Sequence, residues 1–164
     1  MNDPGDADLP PPLDAEFDFD DSGLAATRAE VQRRAHEHGL TGERLGDFVM
    51  AVNECLVNVV AHAGGRGRVR LGVEGSSLFC EITDSGPGIP QRFLDDTGLP
   101  EPSQMGGRGI WLIRRLTDGA AFATGPAGTT VLMVMRLPRD AAPPARPGGP
   151  AVPTHHTPRA GGTP

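Results

Sequence analysis

The sequence predicts an α+β two-layer sandwich, a mixed β-sheet with three helices on one face. Three observations carry the prediction. Phenylalanines alternate with acids near the N-terminus; apolar residues then recur at helical spacing from Leu24 to Val60; and two glycine-turned hairpin patterns bracket a further short helical segment. Hairpins on either side of a helix give a sheet with its helices laid against one side.

Taken in order, Phe17 and Phe19 among Glu16, Asp18 and Asp20 predict a short edge strand. Ser22 is placed to cap a helix running to about His38, with Leu24, Val31 and Ala35 as its inner stripe and Gly39 as its stop. Thr41 is placed to cap a second helix, with Glu43 in the first turn. Leu45, Phe48, Val49, Val52, Leu56, Val59 and Val60 form its apolar face, and Gly64-Gly65 stops it. Arg68–Glu74 and Leu78–Asp84 read as a hairpin turning at Gly75-Ser76. A Gly- and Pro-rich loop follows from Ser85 to Gly106, of a length that in a compact domain usually marks a functional lid or a disordered segment. A third helix is expected over Arg108–Thr117, then strands near Ala120–Thr124 and Thr129–Leu137 about Gly125–Gly128.

The 164 residues suit one domain. It is expected over 13–137, between an acidic disordered arm, 1–12, and a Pro/Gly-rich disordered tail, 138–164. The tail cannot bury enough apolar surface to offset its ordering entropy, and His155 and His156 within it, with no Cys or acid beside them, read as solvated. The net charge of -6 is uneven: Met1–Asp21 carries eight acids and no Arg, and the rest is nearly balanced. No basic stripe suits a phosphate backbone, so direct nucleic-acid binding is not expected. No apolar run approaches the roughly 20 residues that cross a bilayer, and the acidic N-terminus lacks the pattern of a signal peptide. A cytoplasmic protein without membrane contact is expected. Cys55 and Cys80 lie in apolar runs and read as buried thiols. There is no lysine, so Arg must do any phosphate work.

Four elements carry chemistry. Glu54, Asn58 and His62 recur at i, i+4 and i+8, one row opposite the Val/Leu stripe. Alone, that row reads as a solvated polar face. Asp84-Ser85-Gly86-Pro87-Gly88-Ile89 ends an apolar strand, and alone it reads as an ordinary turn. Its ionised Asp accepts hydrogen bonds only, which suits the exocyclic amine of adenine. Gly106-Gly107-Arg108-Gly109 opens the third helix, where unpaired amides can cradle a phosphate. It is no Rossmann fingerprint, since a long loop precedes it, and no Walker A loop is present. Gly128-Thr129-Thr130 enters the last strand, with a hydroxyl placed to support Asp84; β-favouring residues opening a strand explain it equally.

Together these segments resemble the GHKL ATPase superfamily. NECLVNVVAHA is similar to its N-box, DSGPGI to its first glycine box, MGGRGIWLI to its second and the Gly128-Thr129 turn to its third. The boxes run from about Phe48 to Val131 in order and spacing, with a lid-length loop between the glycine boxes. The resemblance implies a Bergerat-type fold binding ATP and Mg²⁺. Glu54 would be the general base and Asn58 would offer its amide oxygen to the metal. Asp84 would bond adenine, with Gly86 and Gly88 shaping that end of the pocket and Thr129 beside it. Gly107 and Gly109 would contact the phosphates; Arg108 would reach a phosphate or face solvent, and both stay open. His62 matches a position often held by His, without an assigned catalytic role.

A single domain containing GRGIWLIRRLTD looks like the anti-sigma-factor serine/threonine kinases of that superfamily. The resemblance implies two partners, a sigma factor to sequester and a small anti-sigma-factor antagonist to phosphorylate, and it leaves room for a homodimer. His36 and His38, at the end of an intradomain helix, do not suit the phospho-acceptor role of a sensor kinase. Two departures stand out. Val59 follows Asn58 where a small residue is common, and the lid, Gln91–Met105, has only Arg92 as a basic side chain. The rival readings are a partner-switching module that binds nucleotide without transferring phosphate, and a solitary histidine-kinase ATPase domain.

Overall fold

The computed structural model describes residues 13–104 and 106–139. The acidic arm, 1–12, and the tail beyond 139, with His155 and His156, lie outside the described residues. Ten elements follow one another: β1 (Leu13–Asp20), a 3-10 turn (Asp21–Gly23), α1 (Leu24–Glu37), α2 (Gly42–His62), β2 (Arg66–Glu74), β3 (Ser77–Asp84), α3 (Gln91–Asp95), α4 (Arg108–Leu116), β4 (Gly119–Gly125) and β5 (Gly128–Arg136).

The strands form one sheet in the order β1-β2-β3-β5-β4. The α+β two-layer sandwich is as expected, but the sheet is mixed in strand order and not in strand direction, because all four neighbouring pairs are antiparallel. The reason lies in the last hairpin. A crossover through α4 returns β4 in the direction of β3, as such a crossover should. The tight β4–β5 turn then folds β5 into the gap between them.

Because side chains alternate across a strand, the register defines one buried face. Val69, Ile82, Val131 and Phe122 stand in a row across β2, β3, β5 and β4; Leu71, Cys80, Met133 and Ala120 form the next. The helices supply the other half of the core with Val31 and Ala35 from α1 and Phe48, Val52, Leu56 and Val59 from α2. Full burial of a side chain such as Phe48, which is 0% exposed, contributes about 2–3 kcal/mol. By length and composition α2 could cross a membrane, yet here its apolar face is the centre of this core. The outer face of β1–β3 is laced with ion pairs: Arg68 with Glu16 and Asp18, Arg70 with Glu81.

The helix ends correct one expectation. Ser22 does not cap α1; Asp20 does the capping one turn earlier, its Oδ1 accepting from the Ser22 and Gly23 N–H groups at 3.0 and 3.1 Å. A carboxylate is a stronger acceptor than a hydroxyl and draws the chain into a 3-10 turn first. Thr41 holds the N-cap position of α2 without a side-chain bond. Gly39 ends α1 as expected: at φ +92° it lets Leu40 N–H reach Ala35 O at 3.0 Å and tucks Leu40 into the core.

Candidate functional site

The apolar face of the sheet stops at one end, and the site begins there. One pleat beyond the Ile82, Val131 and Phe122 row, the same face presents Asp84, Thr129 and Thr124. A cavity of about 530 Å³ opens at this edge, within the range of small-ligand pockets. The row Asn58 and His62 of α2, the Pro87–Pro90 turn, Phe93 of α3 and the Gly106–Ile110 segment enclose it over a floor of Val59, Phe122 and Val131.

Asp84 is fixed before any ligand arrives. Its Oδ1 accepts from the Gly86 N–H at 2.8 Å and from the Thr129 N–H at 3.3 Å. Oδ2 takes no bond among the described residues and remains free for an incoming donor. The support from β5 is thus the Thr129 amide and not its hydroxyl, which pairs instead with Thr124 Oγ1 at 3.0 Å. The Thr124 hydroxyl also accepts from the Ile89 N–H at 2.7 Å, tying the first glycine turn to β4. That turn fits closely. Gly88 lies at φ +89°, where a Cβ would stand 2.5 Å from Gly125 O; a Cβ on Gly86 would meet Ala63 Cβ at the same distance. Any side chain would push this turn off the pocket edge.

Opposite Asp84 stands the N-terminus of α4. Gly107 is its N-cap, at φ +85°, and no side chain caps it. The first amides of the helix therefore point outward unpaired by a cap, with the positive end of the helix dipole behind them. Arg108 lines the cavity and is the only Arg among the described residues to do so; Arg92 instead stacks over the Phe93 ring at 4.5 Å.

Gly109 is where the second helix and the fourth meet. A Cβ there would lie 3.1 Å from Asn58 Nδ2 and 3.3 Å from Glu54 Oε2. The Glu54 carboxylate is thus not part of the cavity wall but stands at its rim, beside Gly109. A half-buried carboxylate, an amide and a helix N-terminus converge on one point, which suits proton abstraction beside an anion.

Of the residues singled out in the sequence, Asn58, Asp84, Gly88, Gly107, Arg108, Gly109 and Thr129 line the cavity, with Glu54 at its rim and Gly86 behind the turn. His62 also lines it, from an exposed position at the end of α2. The sequence reading missed Thr124, Phe122 and Phe93. Phe122 had a signal, a lone aromatic in an alanine-rich strand; Thr124 and Phe93 had none, since their roles depend on tertiary neighbours. The lid, read as a loop, contains the five-residue α3. Cys55 joins the cavity wall, but burial pushes its thiol well above the usual cysteine range, so it remains protonated and inert.

Residues 17–135 match the family model described as the histidine kinase-like ATPase domain. No curated protein matches the sequence. Among solved structures, the chain is similar to the RsbU and RsbW domains of Rv1364c from Mycobacterium tuberculosis, with a TM-score of 0.58 and 21% identity over 81% of this chain and 34% of that one. It is also similar to the SiaB-SiaC complex from Pseudomonas aeruginosa, with a TM-score of 0.56 and 11% identity over 75% of this chain and 91% of that one. The chain thus spans about a third of the length of the Mycobacterium structure, and at these identities the likeness is one of fold.

Proposed function

This chain belongs to the histidine kinase-like ATPase domain family, and we propose that it is an ATP-dependent protein serine/threonine kinase of the anti-sigma type. It phosphorylates a small anti-sigma-factor antagonist and sequesters a sigma factor. One observation carries the reading: Glu54 and Asn58, one turn apart on α2, converge on Gly109 at the uncapped start of α4.

ATP fits the residues present. Asp84 Oδ2 would accept from the adenine amine, and the N-terminal amides of α4 with Arg108 would receive the phosphates. Asn58 would hold Mg²⁺ through its amide oxygen, and the ion supplies charge neutralisation on the phosphates. Phosphoryl transfer then needs positioning above all. Glu54 takes the proton from the incoming serine or threonine hydroxyl as its oxygen bonds to the γ-phosphorus; the leaving oxygen departs with ADP. Among the solved structures similar in fold, one is named for an RsbW domain and another for a two-protein complex, which supports a partner-switching role. The folded unit responsible is 13–137, working in the cytoplasm, with the arm and tail dispensable for ATP binding.

A second reading, a nucleotide-binding module that holds its partner without phosphorylating it, draws on Arg92. The one basic side chain between Gln91 and Met105 stacks on Phe93 and does not line the cavity. Incubation with γ-labelled ATP and candidate antagonist proteins from the same genome separates the two. Label in a serine or threonine of one of them is expected. A chain that binds ATP and a sigma factor but labels none of them is the module.

A further inference from the structure

The start of the lid is held from two sides by groups that belong to none of the nucleotide-contacting boxes. On α4, one turn beyond Ile110, Arg114 donates through Nη2 to the Leu94 carbonyl at 2.8 Å and through Nη1 to the Asp96 carbonyl at 3.1 Å. Its guanidinium carbon lies 5.3 Å from the centre of the Phe122 ring, itself part of the cavity floor. At the other end the Ile89 N–H is held by Thr124. Between these anchors sits α3, and from it Phe93 faces the cavity.

A five-residue helix has too few internal bonds to stand alone, and its last carbonyls have no partners within it. The guanidinium supplies two of the missing partners at once. Its planar fork meets two carbonyls while stacking on an aromatic face, a combination that an ammonium cannot reproduce. The remaining lid lacks such ties. The described bonds of 97–104 are local, from Gly98 N–H to Asp96 Oδ1 and from Gln104 N–H to Glu101 O, and Pro100 alone is buried.

We infer that Arg114 is a positioning residue for the nucleotide site. It holds α3 as a fixed wall, keeping Phe93 packed on the Gly106–Gly107 turn, where a Cβ on Gly106 would come 2.8 Å from the ring. Lid motion is thereby confined to 97–104. The consequence for affinity rests on the ATP reading of the cavity; the anchoring itself does not.

The test is amide hydrogen exchange on the full chain without nucleotide, paired with equilibrium and stopped-flow binding of a fluorescent ATP analogue. In the parent, 89–96 is expected to exchange more slowly than 97–104. Arg114→Gln is expected to speed exchange over 89–96 about tenfold, the loss of roughly one charge-assisted hydrogen bond, while β3 and β5 stay unchanged. Analogue affinity is expected to fall by about the same factor through faster dissociation. Arg114→Lys, which reaches one carbonyl, is expected to fall between, and Arg115→Gln, at the exposed neighbouring position, to match the parent. Unchanged exchange over 89–96 in Arg114→Gln overturns the anchoring. A rise spread equally over β3 and β5 shows a merely structural role and overturns it too. Faster exchange with unchanged affinity overturns the link to the site. A parent chain that binds no ATP sinks the nucleotide reading, and the exchange data then decide the anchoring by themselves.

Discussion

Replacing Gly109 by Ala sets the fold against the site. Gly109 is the second residue of α4, and its φ is not positive, so alanine fits the backbone. In a helix interior alanine is favoured over glycine by up to about 1 kcal/mol, and near a first turn about half of that is expected. What the new methyl meets is not backbone but the ends of two side chains: Asn58 Nδ2 at 3.1 Å, Glu54 Oε2 at 3.3 Å and Asn58 Oδ1 at 3.5 Å. The two nearer atoms, Asn58 Nδ2 and Glu54 Oε2, must shift by a few tenths of an ångström, which a flexible side chain does at little cost to the fold. The displaced side chains are those proposed to hold the metal and take the proton, and a catalytic group tolerates little misplacement. Calorimetric melting should therefore show an unfolding midpoint unchanged or raised by roughly 1–3 °C. ATP titration should show affinity reduced about tenfold, equivalent to about 1.4 kcal/mol. ATP affinity within about twofold of the parent would refute the reasoning, because the contact point would then lie outside the site.

Further outcomes follow from the same geometry. Asp84→Asn keeps the Oδ1 acceptor for Gly86 and Thr129 but puts an amide donor in place of Oδ2, so ATP binding should weaken by at least about tenfold and the preference for ATP over GTP should shrink in competition titrations. Hydrogen bonds from Arg33 and Arg34 hold the Glu30 carboxyl down at about 2, below the usual 4.5. Its stabilising effect is therefore present above pH 4.5 and lost as pH falls toward 2, and Glu30→Gln should flatten the acid limb of stability against pH in that window. Burial raises Cys80 to about 12 and Cys55 further still; neither thiol should react with a disulfide reagent in the native chain at neutral pH, and both should react once urea unfolds it.

The sequence made most of this fold legible because its signals were local. The alternation around Phe17 and Phe19, the stripe from Leu45 to Val60 and the glycine turns at Gly75 and Gly125–Gly128 each produced the element expected. What it could not show was partnership. Nothing local says that β5 inserts between β3 and β4, since that order is settled by how the last hairpin packs. Ser22 was the cap expected from the sequence, and only the geometry of the turn shows that Asp20 takes that role. At the site, Glu54, Asn58 and Asp84 were singled out because the segments that hold them resemble the GHKL boxes, and the structure brings the three to one end of the sheet. Residues that act by contact could not be found that way: Thr124 matters because Ile89 lies across from it, and Arg114 because α3 ends beside it. The short α3 escaped notice because Pro90 and Gly98 flank too few residues to show a period.

The most direct test of the account is the rate of phosphate transfer by Glu54→Gln, measured beside its ATP affinity. The substitution keeps size and polarity at the rim of the cavity and removes only the base. General-base assistance contributes about 10²–10⁴-fold, so transfer to a serine or threonine of the antagonist should fall within that range. ATP and the sigma factor should bind as to the parent. Transfer at the parental rate by Glu54→Gln would contradict the account, because the proton would then leave by a route that does not involve the carboxylate beside Gly109.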